Sequence, residues 1–117
     1  MGGTEDIVRV SRALSVAARV RIVGQLRGGA LCVGALSARL GISQSALSQH
    51  LRVLREAGLV APERRGYYRH YSLREKALEG YLESIRAGLS DSKTRKTWKG
   101  GERTCAAERA NARSRRS

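Results

Sequence analysis

The chain has no phenylalanine, one tryptophan and four tyrosines among 117 residues, so aromatics make up only 4%. Its core must be assembled from Leu, Val, Ile and Ala, which suits small packed helices better than a β-sandwich. Cysteine is scarce too. Cys32 and Cys105 stand 73 positions apart and make no disulfide framework, which points to a reducing, intracellular setting. No apolar run approaches the length of a membrane span, and "MGGTEDIVRV" is acidic near its start and lacks the apolar stretch of a secretory signal. The expectation is a cytoplasmic protein with no membrane partner. Acidic residues are outnumbered, 10 against 23 basic, for a formal net charge of +13. Such an excess attracts polyanions, which in a cell usually means nucleic acid. Residues 1–90 carry fourteen basic against seven acidic side chains and residues 91–117 nine against three, so both parts are basic. The length suits one small domain, and a partner subunit would help so small a core.

What is present is helical periodicity. Ile7, Val10 and Leu14 recur at helical spacing over 4–14, behind the polar, acidic start "TEDI". A second helix over 16–27 aligns Val16, Val20, Val23 and Leu26, and "RGG" stops it. With no Lys-Ser/Thr pair and no preceding strand, these glycines form no phosphate cradle. A short third helix covers about 33–40. "GIS" then makes a tight turn, with Ser43 capping a fourth helix that runs to about Ala57 and stops at Gly58. "LVAPERRGYYRHYSL" carries β-branched and aromatic residues around an "RRG" turn, the pattern of a two-stranded hairpin, in which Pro62 is tolerated at an edge. Tyr71 and Leu73 alternate inward. A last helix over about 74–89 puts Leu78, Leu82, Ile85 and Leu89 on one stripe, beside Tyr81. From Ser90 the period is lost, and residues 91–117 read as a basic, disordered tail.

Helix, three-residue turn, helix, hairpin is the order of a winged helix-turn-helix. In the fourth helix Leu47, Leu51 and Leu54 form the inward stripe. The opposite stripe holds Ser45, Ser48, Gln49 and Arg52, with Ser43 and Gln44 at the N-terminal end. Solvated helix faces usually carry Glu/Lys pairs. Short hydroxyls, amides and one arginine instead leave room for base edges, since Gln can pair with adenine and Arg with guanine or phosphate. The hairpin clusters Arg64, Arg65 and Arg69 with Tyr67 and Tyr68 around Gly66, a tip suited to the DNA backbone or a minor groove. His50 and His70 are the only histidines and have no second ligand at helical or turn spacing, so His50 is expected to pack or bond within its own helix. No nucleophile, base or metal cluster stands at catalytic spacing, which argues against an enzyme.

From Leu14 to Leu73 the chain resembles the ArsR/SmtB family of bacterial winged-helix repressors. The most specific stretch is "SQSALSQHLRVLREAGLV", close to the family's S-Q-(S/P)-x-(V/L)-S-x-H-L-x-x-L-x-x-A-G-L-V. The resemblance implies a mainly α fold (α-α-α-α-β-β-α) with a two-stranded hairpin. It also implies a homodimer paired through the first and last helices, and a nucleoid-associated repressor bound to an inverted-repeat DNA operator until an inducer releases it. On this basis residues 1–90 are expected to be the DNA-binding and dimerisation domain.

The resemblance also raises the question of metal. Arsenic- and cadmium-responsive members carry Cys-Val-Cys at the third helix. Cys32 and Val33 match, but Gly34 replaces the second thiol, and residues 74–96 hold no histidine for the zinc site of other members. One thiol satisfies neither three-sulfur As(III) nor a tetrahedral soft-metal ion, so no metal site is assigned. Cys32 is then a small buried hydrophobe. The alternative pairs it with Cys105 as a thiol sensor for As(III) or another soft metal ion, or for a redox signal. A third hypothesis, from another class, is a protein that coats nucleic acid without sequence preference.

Overall fold

The computed structural model describes residues 3–90, and its elements follow in the order α1 (Thr4–Ala13), α2 (Ala17–Leu26), β1 (Leu31–Cys32), α3 (Val33–Leu40), α4 (Gln44–Glu56), β2 (Val60–Arg65), β3 (Tyr68–Leu73) and α5 (Glu75–Ser90). One compact unit closes at Arg86, within α5. The tail expected over 91–117, with Cys105, lies outside the described residues.

Helix ends fall where the capping chemistry demands them. Ser43 caps α4, its Oγ accepting from the Ala46 amide at 3.1 Å. At the other end the Leu59 amide donates to the Leu54 carbonyl at 3.0 Å and the Gly58 amide to the Arg55 carbonyl at 2.9 Å. With Gly58 at φ +81° this is a Schellman stop. It turns Leu59 back onto Leu54, and both side chains are fully buried. Between α3 and α4 the turn is Gly41, Ile42 and Ser43, as the sequence predicts, with Gly41 left-handed at φ +66°. The start of α1 differs from expectation. Thr4 is its first helical residue and Gly3 precedes it without a side-chain cap, leaving Glu5 and Asp6 to favour the first turn through the helix dipole.

The core is aliphatic, as the missing phenylalanine requires. Ile22, Leu26, Leu36, Leu47, Leu51, Leu54, Leu59 and Val60 are its fully buried members, and Val10, Ala13, Val23, Tyr71, Leu73 and Leu78 close around them. Two predicted stripes shift. In α2 the buried face is Ile22, Val23 and Leu26, while Val20 is half exposed: α3, α4 and β3 all pack on this helix, and Val20 lies outside the face they cover. In α5, among the described residues, only Leu78 is buried. Leu82 and Leu89 are exposed, so this stripe is not consumed by the chain's own core. Tyr81 ties α5 to α1 through a 2.8 Å hydrogen bond between its hydroxyl and Ser11 Oγ.

The hairpin is present, and it acquires a third strand that two residues of sequence do not announce. β1 pairs antiparallel with β3, Leu31 opposite Tyr71 and Cys32 opposite His70, giving the order β1-β3-β2. Strand β3 is thus central, and Pro62 sits on the edge strand β2, where its missing amide is tolerated. Gly66 and Tyr67 form a two-residue turn one position beyond the arginines, with Gly66 at φ +67°, the glycine-first pattern of a tight hairpin.

Candidate nucleic-acid interface

The buried leucines of α4 fix which side of the helix stays outside. With Leu47, Leu51 and Leu54 inward, Gln44, Ser45, Ser48, Gln49 and Arg52 are all exposed. Among the described residues, no side-chain hydrogen bond engages Gln44, Ser45, Ser48 or Gln49. Their amides and hydroxyls are therefore free for a partner. Ser43 differs: its oxygen already accepts one bond in the cap, which fixes its orientation and leaves its hydroxyl proton and one lone pair for a ligand. Arg52 is also engaged, by Glu56 one turn later at 3.2 Å. An exposed i,i+4 pair of this kind contributes only about 0.3–0.5 kcal/mol, so a stronger anion displaces it.

Strand register sorts the hairpin residues. Arg64 lies directly opposite Arg69, and Arg65 opposite Tyr68. Side chains alternate faces along a strand, so the expected three-arginine cluster divides. Arg64 and Arg69 share the face that, lower down, carries Val60, Tyr71 and Leu73 into the core. Arg65 falls on the other face with Glu63, which it meets at 3.2 Å. Around the tip, Arg64, Gly66, Tyr67, Tyr68 and Arg69 line a cleft of about 290 Å³. Tyr67 is fully exposed and Tyr68 largely so. Like charges directly opposite on a hairpin are destabilising, and among the described residues no carboxylate pairs with Arg64 or Arg69. A polyanion resolves that repulsion.

The remaining candidates are placed differently from expectation. Cys32 is only partly buried and serves as the N-cap of α3, its sulfur accepting from the Ala35 amide at 3.3 Å. Sulfur is a poor relative of the usual oxygen caps, which is why the sequence gives no sign of it. Among the described residues, no group of three or more His, Cys, Asp and Glu is placed to hold a metal ion. Among the described residues Cys32 is the one thiol, which by itself does not complete an As(III) or other soft-metal site. His50 does not bond within its own helix. Its Nδ1 accepts from Arg19 Nε of α2 at 3.3 Å. His70 Nδ1 lies 3.2 Å from the Tyr68 carbonyl. Among the described residues, no helix is long and apolar enough to cross a membrane.

An exposed amide-and-hydroxyl face on α4, a three-residue turn before it and a basic two-residue hairpin tip after it can be compared with known proteins. The family model of the bacterial regulatory proteins of the arsR family matches residues 17–61. The HTH-type transcriptional regulator NmtR of Mycobacterium tuberculosis is 40% identical over 93 residues, covering 74% of this chain and 78% of that protein. The transcriptional repressor SdpR of Bacillus subtilis is 31% identical over 70 residues, 60% of this chain and 78% of that one. In solved structures, the homodimeric winged helix-turn-helix DNA-binding domain of a possible ArsR-family regulator from Mycobacterium bovis superposes with a TM-score of 0.60 at 25% identity, over 76% of this chain and 84% of that one. The matched span holds the whole helix-turn-helix, from α2 through α4 into β2, and the solved structure extends the likeness to the winged fold: the chain belongs to the arsR family of bacterial regulatory proteins.

Proposed function

We propose that the protein is a sequence-specific transcriptional repressor that binds a double-stranded DNA operator as a homodimer and acts by occupancy rather than catalysis. The observation that carries this is the outward face of α4. Gln44, Ser45, Ser48, Gln49 and Arg52 stand free or weakly paired opposite three fully buried leucines. In this reading α4 enters the major groove, where Gln49 and Gln44 pair with adenine, Arg52 with guanine, and the serines with either. Ser43 and the amides at the N-terminus of α4 meet a phosphate. Arg64 and Arg69, with Arg65 and Tyr67, hold the sugar-phosphate backbone or an adjacent minor groove and add affinity without base choice.

Two copies are expected to pair through α1 and α5, where the apolar side chains of Val8 and Leu82 remain exposed. The similar domain from Mycobacterium bovis is a homodimer, and SdpR is named a repressor. Pairing sets two copies of α4 about one DNA turn apart, roughly 34 Å, and calls for an inverted-repeat operator. Residues 1–90 supply reading and pairing, and the nine basic residues of 91–117 add electrostatic attachment.

Footprinting on the promoter upstream of the protein's own coding sequence, followed by competition with random DNA, tests the proposal. A protected inverted repeat preferred about 10³-fold or more over random duplex is the expected result. A reporter driven by that promoter should fall when the protein is expressed. Displacement by any sequence equally well would instead establish a non-specific coating protein, and a rising reporter would establish an activator.

A further inference from the structure

Arg19 joins three elements. Its Nε donates to His50 Nδ1 on α4 at 3.3 Å, and its Nη1 donates to the Arg12 and Ala13 carbonyls, at 3.4 Å each, where α1 ends. The last carbonyls of a helix lack partners within it and carry the negative end of its dipole, so a guanidinium there is well placed. Arg19 and His50 are both half-buried, which spares their bond much of the competition from water. The fork of the guanidinium matters: a lysine could not reach both a ring nitrogen and two carbonyls in fixed directions.

We propose that Arg19 is a positioning residue for DNA reading, one that sets the yaw of α4 against α1 through its bond to His50. The proposal rests on α4 being the DNA-reading helix. His50 follows Gln49 directly, so a shift in its ring moves the face that carries Gln49 and Arg52. Nδ1 can accept from Arg19 only when it bears no proton, which puts the ring proton on Nε2.

The test measures binding of the full chain to the footprinted operator and to random duplex, with a thermal melt of each variant. Arg19→Gln should bind the operator about tenfold more weakly, the size of one hydrogen bond to a charged group, and lose much less on random duplex. Arg19→Lys, with its charge kept, should not restore operator affinity. His50→Gln, whose side-chain oxygen can still accept from Arg19, should bind the operator as wild type does, whereas His50→Leu, which offers no acceptor, should lose about as much as Arg19→Gln. His70→Gln should bind as wild type. An Arg19→Gln variant that keeps the wild-type preference for the operator overturns the role of Arg19, as does a His50→Leu variant that binds as well as His50→Gln. Absence of any preferred duplex for wild type removes the DNA-reading assignment itself, and this proposal with it.

Discussion

Arg52 Nε lies 3.2 Å from Glu56 Oε1, one helical turn away, with both side chains mostly in solvent. The pair is worth about 0.3–0.5 kcal/mol, against about 1–3 kcal/mol for a bidentate arginine contact to guanine. A guanine contact is therefore expected to displace Glu56 from the arginine. Arg52→Ala is expected to lower operator affinity about 5- to 100-fold and relax the choice of base at one position. Glu56→Gln should leave stability within about 0.5 kcal/mol of wild type and hold or raise affinity. Fluorescence anisotropy on operators varied one base at a time, with urea unfolding alongside, measures both.

Arg64 and Arg69 should behave otherwise. Removing either is expected to weaken all sequences alike and to flatten the dependence of log affinity on log salt by about 0.9 per lost phosphate contact. Because the two oppose each other in register, Arg69→Ala should not destabilise the fold. A salt titration of binding and a thermal melt report the two effects separately.

Gly58 is a sharper test of the fold. Its φ of +81° places it where an L side chain is strained, although no atom would crowd an added Cβ. Gly58→Ala should thus lower stability by about 1–2 kcal/mol through backbone conformation alone. The expected readout is a lower urea midpoint with unchanged m-value.

Cys32 gives a fourth prediction. Serine is the stronger cap, so Cys32→Ser should retain or raise stability, whereas Cys32→Ala should lose about 0.5 kcal/mol or less, the low end for oxygen caps. Operator binding by Cys32→Ser, titrated with As(III), Hg(II) and polysulfide, distinguishes a capping residue from a sensing one. Response in wild type that vanishes in Cys32→Ser would establish thiol sensing.

Much of this was legible in the residues. The serine before α4, the glycine after it and the leucines at helical spacing specify that helix by local chemistry alone, and the hairpin announces itself by composition. The features that the sequence hides depend on neighbours from elsewhere in the chain. A strand of two residues, Leu31 and Cys32, has no period to detect and exists only because Tyr71 and His70 lie beside it. The partner of His50 comes from a different helix, 31 positions earlier. Val20 and Leu82 share the spacing of buried neighbours, yet only assembly determines which flank is covered. The Arg52–Glu56 pair, by contrast, was available from i,i+4 spacing.

The strand that closes the sheet has a mechanical consequence. Cys32 both pairs with His70 of β3 and caps α3, so the start of α3 is tied to the middle of the wing by the sheet rather than through a free loop. A load on the tip at Tyr67 is then expected to pass along β3 into the first turn of α3 instead of being absorbed between them.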